Sequence, residues 1–300
     1  MKLPEYCSVL IVSVVLHLFN MQHINGLIAG VNHRPICYDL TYDDTITAKA
    51  LVLFIHGFKG FKDWGHYPLL ACSFAELGYP FLKFNFSHNG TTPDQLLDLT
   101  DTEAFGHNNL TIELTEVAIM LHHISNLISQ YTGSVPIVLV GHSRGGGIAI
   151  IKAAEDERIK GLITLASLSR YGHFFGADRY EEWRETGVIH VMNSRTRQYL
   201  PLYWQYMEDL ELNGQRLNIQ DNAKRITVPW LIVHGTADES VPDSHALDLH
   251  KANPQAQLMI IEGANHTFGG KHPYQSDALP KHTLQWFKQS IGLLDKYFKA

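Results

Sequence analysis

Ser143, Asp238 and His266 lie far apart in the chain, yet their types and order suit one kind of chemistry, the activation of a hydroxyl for attack on a carbonyl carbon. A serine hydroxyl is a poor nucleophile until a base takes its proton, and a neutral imidazole can do this near physiological pH. His266 would accept the Ser143 proton and return it to the leaving group. Asp238 would hold the imidazole in the correct tautomer and stabilise its charged form. The reaction class implied is acyl transfer to water through an acyl-enzyme.

Local setting, rather than residue type, selects these three from a chain with 18 histidines and 30 acidic residues. Ser143 sits in Gly141-His142-Ser143-Arg144-Gly145, after the apolar run 136–140 and before Gly146-Gly147-Ile148-Ala149. A serine on a sharp strand-to-helix turn has its hydroxyl forced into the open, and glycines on either side relieve the crowding. The following helix points free N–H groups and its positive end at the serine. Asp238 follows the apolar strand 230–233 in His234-Gly235-Thr236-Ala237-Asp238-Glu239-Ser240-Val241-Pro242, and His266 follows the apolar strand 258–261 in Gly263-Ala264-Asn265-His266-Thr267. Glu239 and Asp243 are competing carboxylates. The spacing His-Gly-x-x-Asp-x-x-Val-Pro favours Asp238, while Asp243 reads as a cap-region residue of a helix beginning at Ser244. His142 and Arg144 read as packing and salt-bridging neighbours of the serine, and His56 and His234 as turn histidines bonded to loop backbone.

These segments resemble the α/β-hydrolase superfamily, in particular its dienelactone-hydrolase-like, cinnamoyl-esterase-like and serine-peptidase-like branches. The resemblance runs from about residue 51 to the C-terminus and includes Leu51-Val52-Leu53-Phe54-Ile55-His56-Gly57-Phe58, similar to the strand and His-Gly-aromatic turn of such enzymes. It implies an α/β fold with a mostly parallel central sheet flanked by helices. It also implies that the backbone N–H groups of Phe58 and Arg144 hold the tetrahedral intermediate, with neither side chain required. One departure is the loop Ser87-His88-Asn89-Gly90, where many relatives carry an Asp and an Arg-Gly or His-Gly pair.

The elements that must position these residues are legible as alternating strand-like and helix-like segments. An entry hairpin is expected over about 24–42, turning near Asn32-His33-Arg34-Pro35, and an amphipathic helix closes the chain at 284–297. A single domain is expected over 21–300, interrupted at about 169–223 by a cap insertion. That insertion carries Tyr171, Phe174, Phe175, Tyr180, Trp183, Tyr199, Tyr203, Trp204 and Tyr206, well above the chain's 11% aromatic content. Most of these rings read as packing the insert onto the main domain, with two or three lining an acyl or alcohol pocket.

Composition narrows the class further. A net charge of −6 without a basic cluster argues against a nucleic-acid partner. No glycine-rich phosphate loop or clustered Cys/His ligand spacing is present, so neither a nucleotide nor a metal cofactor is expected. Residues 1–20 contain about 13 apolar residues in a row, which reads as a leader or as a spurious N-terminal extension and is short for a membrane span. Three cysteines, Cys7, Cys37 and Cys72, make no disulfide framework and fit a reducing compartment. The expected location is cytoplasmic, or exported if the leader is a signal peptide. The expected substrate is a small-molecule ester, with a short peptide as the alternative on the same triad and a non-catalytic binding role as a third reading. The sequence leaves oligomeric state open.

Overall fold

The computed structural model describes residues 20–131, 135–172 and 177–299. In chain order the strands are β1 (Met21–Ala29), β2 (Pro35–Asp43), β3 (Leu51–Ile55), β4 (Phe81–Phe84), β5 (Ile137–His142), β6 (Ile159–Leu165), β7 (Val188–Asn193), β8 (Gln198–Tyr203), β9 (Trp230–Gly235) and β10 (Gln257–Ile261). The helices are α1 (Tyr67–Ala75), α2 (Thr102–Gly106), α3 (Leu110–Tyr131), α4 (Arg144–Glu155), α5 (Ala177–Thr186), α6 (Gln205–Leu212), α7 (Ile219–Ala223), α8 (Ser244–Ala252) and α9 (Lys281–Tyr297).

Eight strands form one sheet in the order β1-β2-β4-β3-β5-β6-β9-β10. Only β2 runs against the others. It pairs antiparallel with β1 and β4, while β3, β4, β5, β6, β9 and β10 pair in parallel. Parallel strands covered on both faces must be apolar on both faces, and the short runs 51–55 and 137–140 are. Leu51, Leu53, Ile137 and Leu139 enter one core with α3, α4 and α8. Their neighbours Val52, Phe54, Val138 and Val140 enter the other, against Tyr67, Leu70 and Phe74 of α1 and Trp286 and Phe287 of α9. This is the α/β-hydrolase architecture, three layers deep.

The chain direction reverses across β3. After β3 it moves outward to β4, then returns to pair β5 with the free side of β3, Ile55 opposite Gly141. The loops leaving the carboxyl ends of β3 and β5 therefore diverge from a shared crevice, where α/β sheets place ligands.

Residues between β6 and β9 leave the sheet. They include α5, the antiparallel pair β7–β8, α6 and α7, while β6 and β9 pair directly beneath them, Leu162 opposite Trp230. The β7–β8 ribbon is tied to the main body through side chains. Gln198 Nε2 donates to Leu99 O at 3.1 Å, Tyr203 Oη to Glu103 Oε2 at 2.6 Å, and Arg195 Nη2 to Asp98 Oδ1 at 2.9 Å. The apolar N-terminal run, Cys7, Phe174 and Phe175 lie outside the described residues. Among the described residues no helix is long and apolar enough to cross a membrane, and Cys37 and Cys72 are free.

Candidate active site

Ser143 occupies the single residue between β5 and α4, at φ 57° and ψ −122°, a region of backbone space that side-chain-bearing residues rarely enter. The turn is held from both sides. Ser143 N donates to Leu165 O at 2.8 Å and Gly146 N to Ser143 O at 3.0 Å. Two glycines are dictated by close approach. A Cβ on Gly145 would lie 2.4 Å from the carbonyl oxygens of Ile55 and His56, and one on Gly57 would lie 2.9 Å from Ser143 Cβ. The β3 and β5 loops thus touch at Gly57 and Ser143. That contact brings the 57–60 segment, with the Phe58 N–H, beside the start of α4, with the Arg144 N–H.

Further contacts brace the 57–63 segment. Lys62 N donates to Asn85 Oδ1 at 2.6 Å, and Asn89 Nδ2 to Gly60 O at 3.1 Å. Beneath it the ammonium groups of Lys62 and Lys83 alternate with the carboxylates of Asp39 and Asp63 in a four-membered ionic ring. Burial works against the Lys62 charge, but the two aspartates outweigh it and raise its pKa. The divergent loop after β4 is anchored through Glu116, whose buried carboxylate accepts from Ser87 N at 2.8 Å and Val31 N at 3.2 Å and also pairs with the Ser87 hydroxyl. Burial pushes Glu116 up to about 7, because three hydrogen bonds do not fully replace lost water.

The other two residues meet across adjacent strands. His266 Nδ1 lies 2.8 Å from Asp238 Oδ2. The second oxygen of Asp238 accepts from Ser240 N and Val241 N, both at 2.9 Å, which fixes the carboxylate plane. Asp238 Oδ2 also lies 3.2 Å from His234 Nε2, and the Asp238 side chain is fully buried. Burial opposes its charge, but hydrogen bonds from His234 and His266 and from backbone outweigh that cost and hold the carboxyl well below its usual range. The His266 side chain keeps 21% of its surface open. Its backbone is held by His142, whose Nε2 sits 2.9 Å from His266 O; burial and the nearby His266 lower His142 to about 3, so His142 stays neutral.

Ser143 and His266 are wall residues of the same two chambers, though among the described residues they share no hydrogen bond. The larger, about 450 Å³, is apolar, with Leu168, Trp183, Val191, Leu202 and Val241 among its walls. The smaller, about 210 Å³, has Trp64, Tyr67, Asn193, Ser194, Arg195 and Thr267. Phe58 belongs to both.

The structure therefore brings Ser143, His266, Asp238, Phe58 and Arg144 into one region. Glu239 and Asp243 do not contact His266; Asp243 precedes α8, without a side-chain cap bond. The Arg144 guanidinium pairs with the buried Glu113 and lies 4.5 Å from the Phe58 ring centroid. His56 bonds Gly57 O at 2.9 Å, as its turn position suggests. His234 does bond loop backbone, Val241 O at 2.9 Å, but it also faces Asp238. The i, i+4 spacing of His234 and Asp238 was the available signal. Of the aromatic residues in 169–223, Trp183 and Tyr206 line the larger chamber, with ring centroids 6.1 Å apart, while Tyr199 is two-thirds exposed.

The profile of the Alpha/beta hydrolase family matches residues 52–278. The chain belongs to the alpha/beta hydrolase family. Curated relatives include the lysophosphatidylserine lipase ABHD12 of Macaca fascicularis, 23% identical over 205 residues that cover 67% of this chain and 45% of the relative. The chain thus spans about half the length of that relative. Monoglyceride lipase of Rattus norvegicus is 22% identical, with 82% of this chain and 85% of the relative covered. Among solved structures, Est1E from Butyrivibrio proteoclasticus superposes with a TM-score of 0.63 at 20% identity, covering 91% of this chain and 99% of that one, a likeness of fold.

Proposed function

We propose that this family member is a serine hydrolase that cleaves small-molecule carboxylic esters through an acyl-enzyme. The observation that carries the reading is the conjunction of a strained Ser143 with a His266–Asp238 pair 2.8 Å apart, in the walls of the same two chambers. The lipase relatives support an ester as the scissile group.

In this reading an ester carbonyl enters between the chambers with its oxygen toward the N–H groups of Phe58 and Arg144. Ser143 Oγ attacks as its proton passes to His266 Nε2, and the imidazolium is stabilised by Asp238 on its other nitrogen. The oxyanion is met by two backbone donors, one at the positive end of α4, before the collapse of the intermediate releases the alcohol. Water then enters, gives its proton to His266 and attacks the acyl carbon, and the acid leaves as Ser143 recovers its proton. Residues 169–223 act as a cap whose Trp183, Val191 and Leu202 form a wall of the larger chamber and set acyl size.

The test is labelling of the full chain with a fluorophosphonate probe, wild type against Ser143→Ala, followed by matched ester and amide substrates. Labelling that requires Ser143 and faster turnover of the ester is the expected outcome. Absence of labelling in folded wild type would overturn the reading and favour a binding role, and preference for the amide would replace esterase by amidase.

A further inference from the structure

Cationic side chains stand among the walls of both chambers in a chain whose net charge is −6. Among the described residues no carboxylate lines either one, whereas Lys59 lines both, Arg144 and Arg179 line the larger, and Arg195 the smaller. Arg144 is neutralised by Glu113 and Arg195 by Asp98. Lys59 has no carboxylate partner among the described residues. Its ammonium donates to Met192 O at 3.1 Å, leaving two further N–H donors. Burial pulls its pKa down, as expected for a charge taken from water without an opposite charge in return. Its backbone is left-handed, at φ 59°, although the next residue is a glycine. The fold thus accepts a strained side chain where the two chambers meet, one residue beyond the Phe58 N–H.

The chambers differ in what they could hold. The larger suits an acyl chain. The smaller carries Asn193, Ser194, Arg195 and Thr267 and suits a polar alcohol. We propose that Lys59 recognises an anionic group, a carboxylate or a phosphate, on the alcohol part of an ester whose apolar acyl chain fills the larger chamber. An anion there would supply the missing partner of Lys59, with Arg195 as a second donor. A charge-assisted contact of this kind changes binding by about tenfold or more. This inference rests on the proposed ester hydrolysis at Ser143.

The experiment compares three octanoyl esters on the full chain: a neutral glyceryl ester, a glycerol-3-phosphate ester and a glycolate ester, which carries a carboxylate. Each is measured with wild type, Lys59→Met, Lys59→Arg and Lys59→Glu, alongside fluorophosphonate labelling and thermal unfolding. The expected wild-type result is a higher kcat/KM for at least one anionic ester, and which one distinguishes phosphate from carboxylate. In Lys59→Met the anionic-to-neutral ratio falls about tenfold, mostly through KM. Lys59→Glu lowers it further and Lys59→Arg restores part of it. A wild type that turns over all three esters equally, or a ratio unaffected in Lys59→Met and Lys59→Glu, overturns the role of Lys59 while leaving ester hydrolysis intact. Uniform loss on all three esters with a lowered unfolding temperature assigns Lys59 to holding β7 through Met192 and overturns the proposal. Absence of both labelling and turnover in wild type defeats the underlying reading instead.

Discussion

Replacing Asp238 by asparagine isolates the contribution of one charge at nearly constant volume. Oδ1 of Asp238 accepts two backbone N–H groups, from Ser240 and Val241, so an asparagine must place its carbonyl oxygen there. Its NH2 then faces His266 Nδ1 at the 2.8 Å position and turns an acceptor into a donor. His266 can satisfy that donor only with Nδ1 unprotonated, which puts the ring proton on Nε2, the nitrogen that takes the serine proton in the proposed mechanism. The wrong tautomer and the loss of the imidazolium's counter-charge together cost about ten-thousandfold in kcat, roughly 5 kcal/mol at 1.36 kcal/mol per factor of ten. The assay is kcat and KM on p-nitrophenyl butyrate, with fluorophosphonate labelling rates and urea unfolding as controls. The same substitution should flatten the acid limb of stability. A carboxyl held below its unfolded value of about 4 stabilises the fold above that pH and loses the contribution progressively as pH falls from there through its lower folded value. A folded Asp238→Asn protein that keeps a tenth or more of wild-type kcat would refute the reasoning, since no such charge would then be holding the base.

Four other outcomes follow from the same geometry. Ser143→Gly abolishes turnover yet exceeds Ser143→Ala in stability by about 1 kcal/mol in urea unfolding, because glycine alone relaxes at φ 57° and ψ −122°. Gly145→Ala drives a Cβ against the Ile55 and His56 carbonyls and lowers stability by about 3 kcal/mol, or yields no folded protein. Glu116, pushed up to about 7, holds its proton more tightly folded than unfolded, so its own contribution to stability is greatest below about 4.5, declines by roughly 3 kcal/mol as pH rises to about 7, and levels off beyond; Glu116→Gln removes that component of the slope in pH-dependent unfolding. Trp183→Ala costs about 3 kcal/mol and enlarges the larger chamber, so kcat/KM for a bulky acyl ester rises relative to the acetyl ester.

The placement of Ser143, Asp238 and His266 at neighbouring strand ends was legible because its signals are local. A glycine-flanked serine between an apolar run and a helix start, and an aspartate and a histidine each just past an apolar run, report the strand ends directly. The entry hairpin could be read for the same reason, from apolar alternation around a polar turn, and it extends to Met21–Ala29 and Pro35–Asp43. What the sequence does not reveal is long-range. Glu116 serves Ser87 and Val31, 29 and 85 residues away, and nothing in its own helix marks it. The Lys62, Lys83, Asp39 and Asp63 ring joins segments up to 44 residues apart, and such separated pairings have no periodicity to betray them. Which aromatic residues face the cavity is likewise a property of how the described elements between β6 and β9 pack, and it separates Trp183 and Tyr206 from exposed Tyr199 only in three dimensions.

The direct pairing of β6 with β9 beneath the departing segment closes the sheet without using a residue of that segment. Because the ladder closes below the excursion, the register that aligns Ser143, Asp238 and His266 does not depend on how long that excursion is or what it contains. Under the proposed function, an altered 177–212 would change the walls around Ser143 while leaving the proposed triad in place, provided its ends still reach the adjoining segments. On that proposal substrate range would be separable from reaction type, and a new preference would arise by revising a single contiguous stretch of chain.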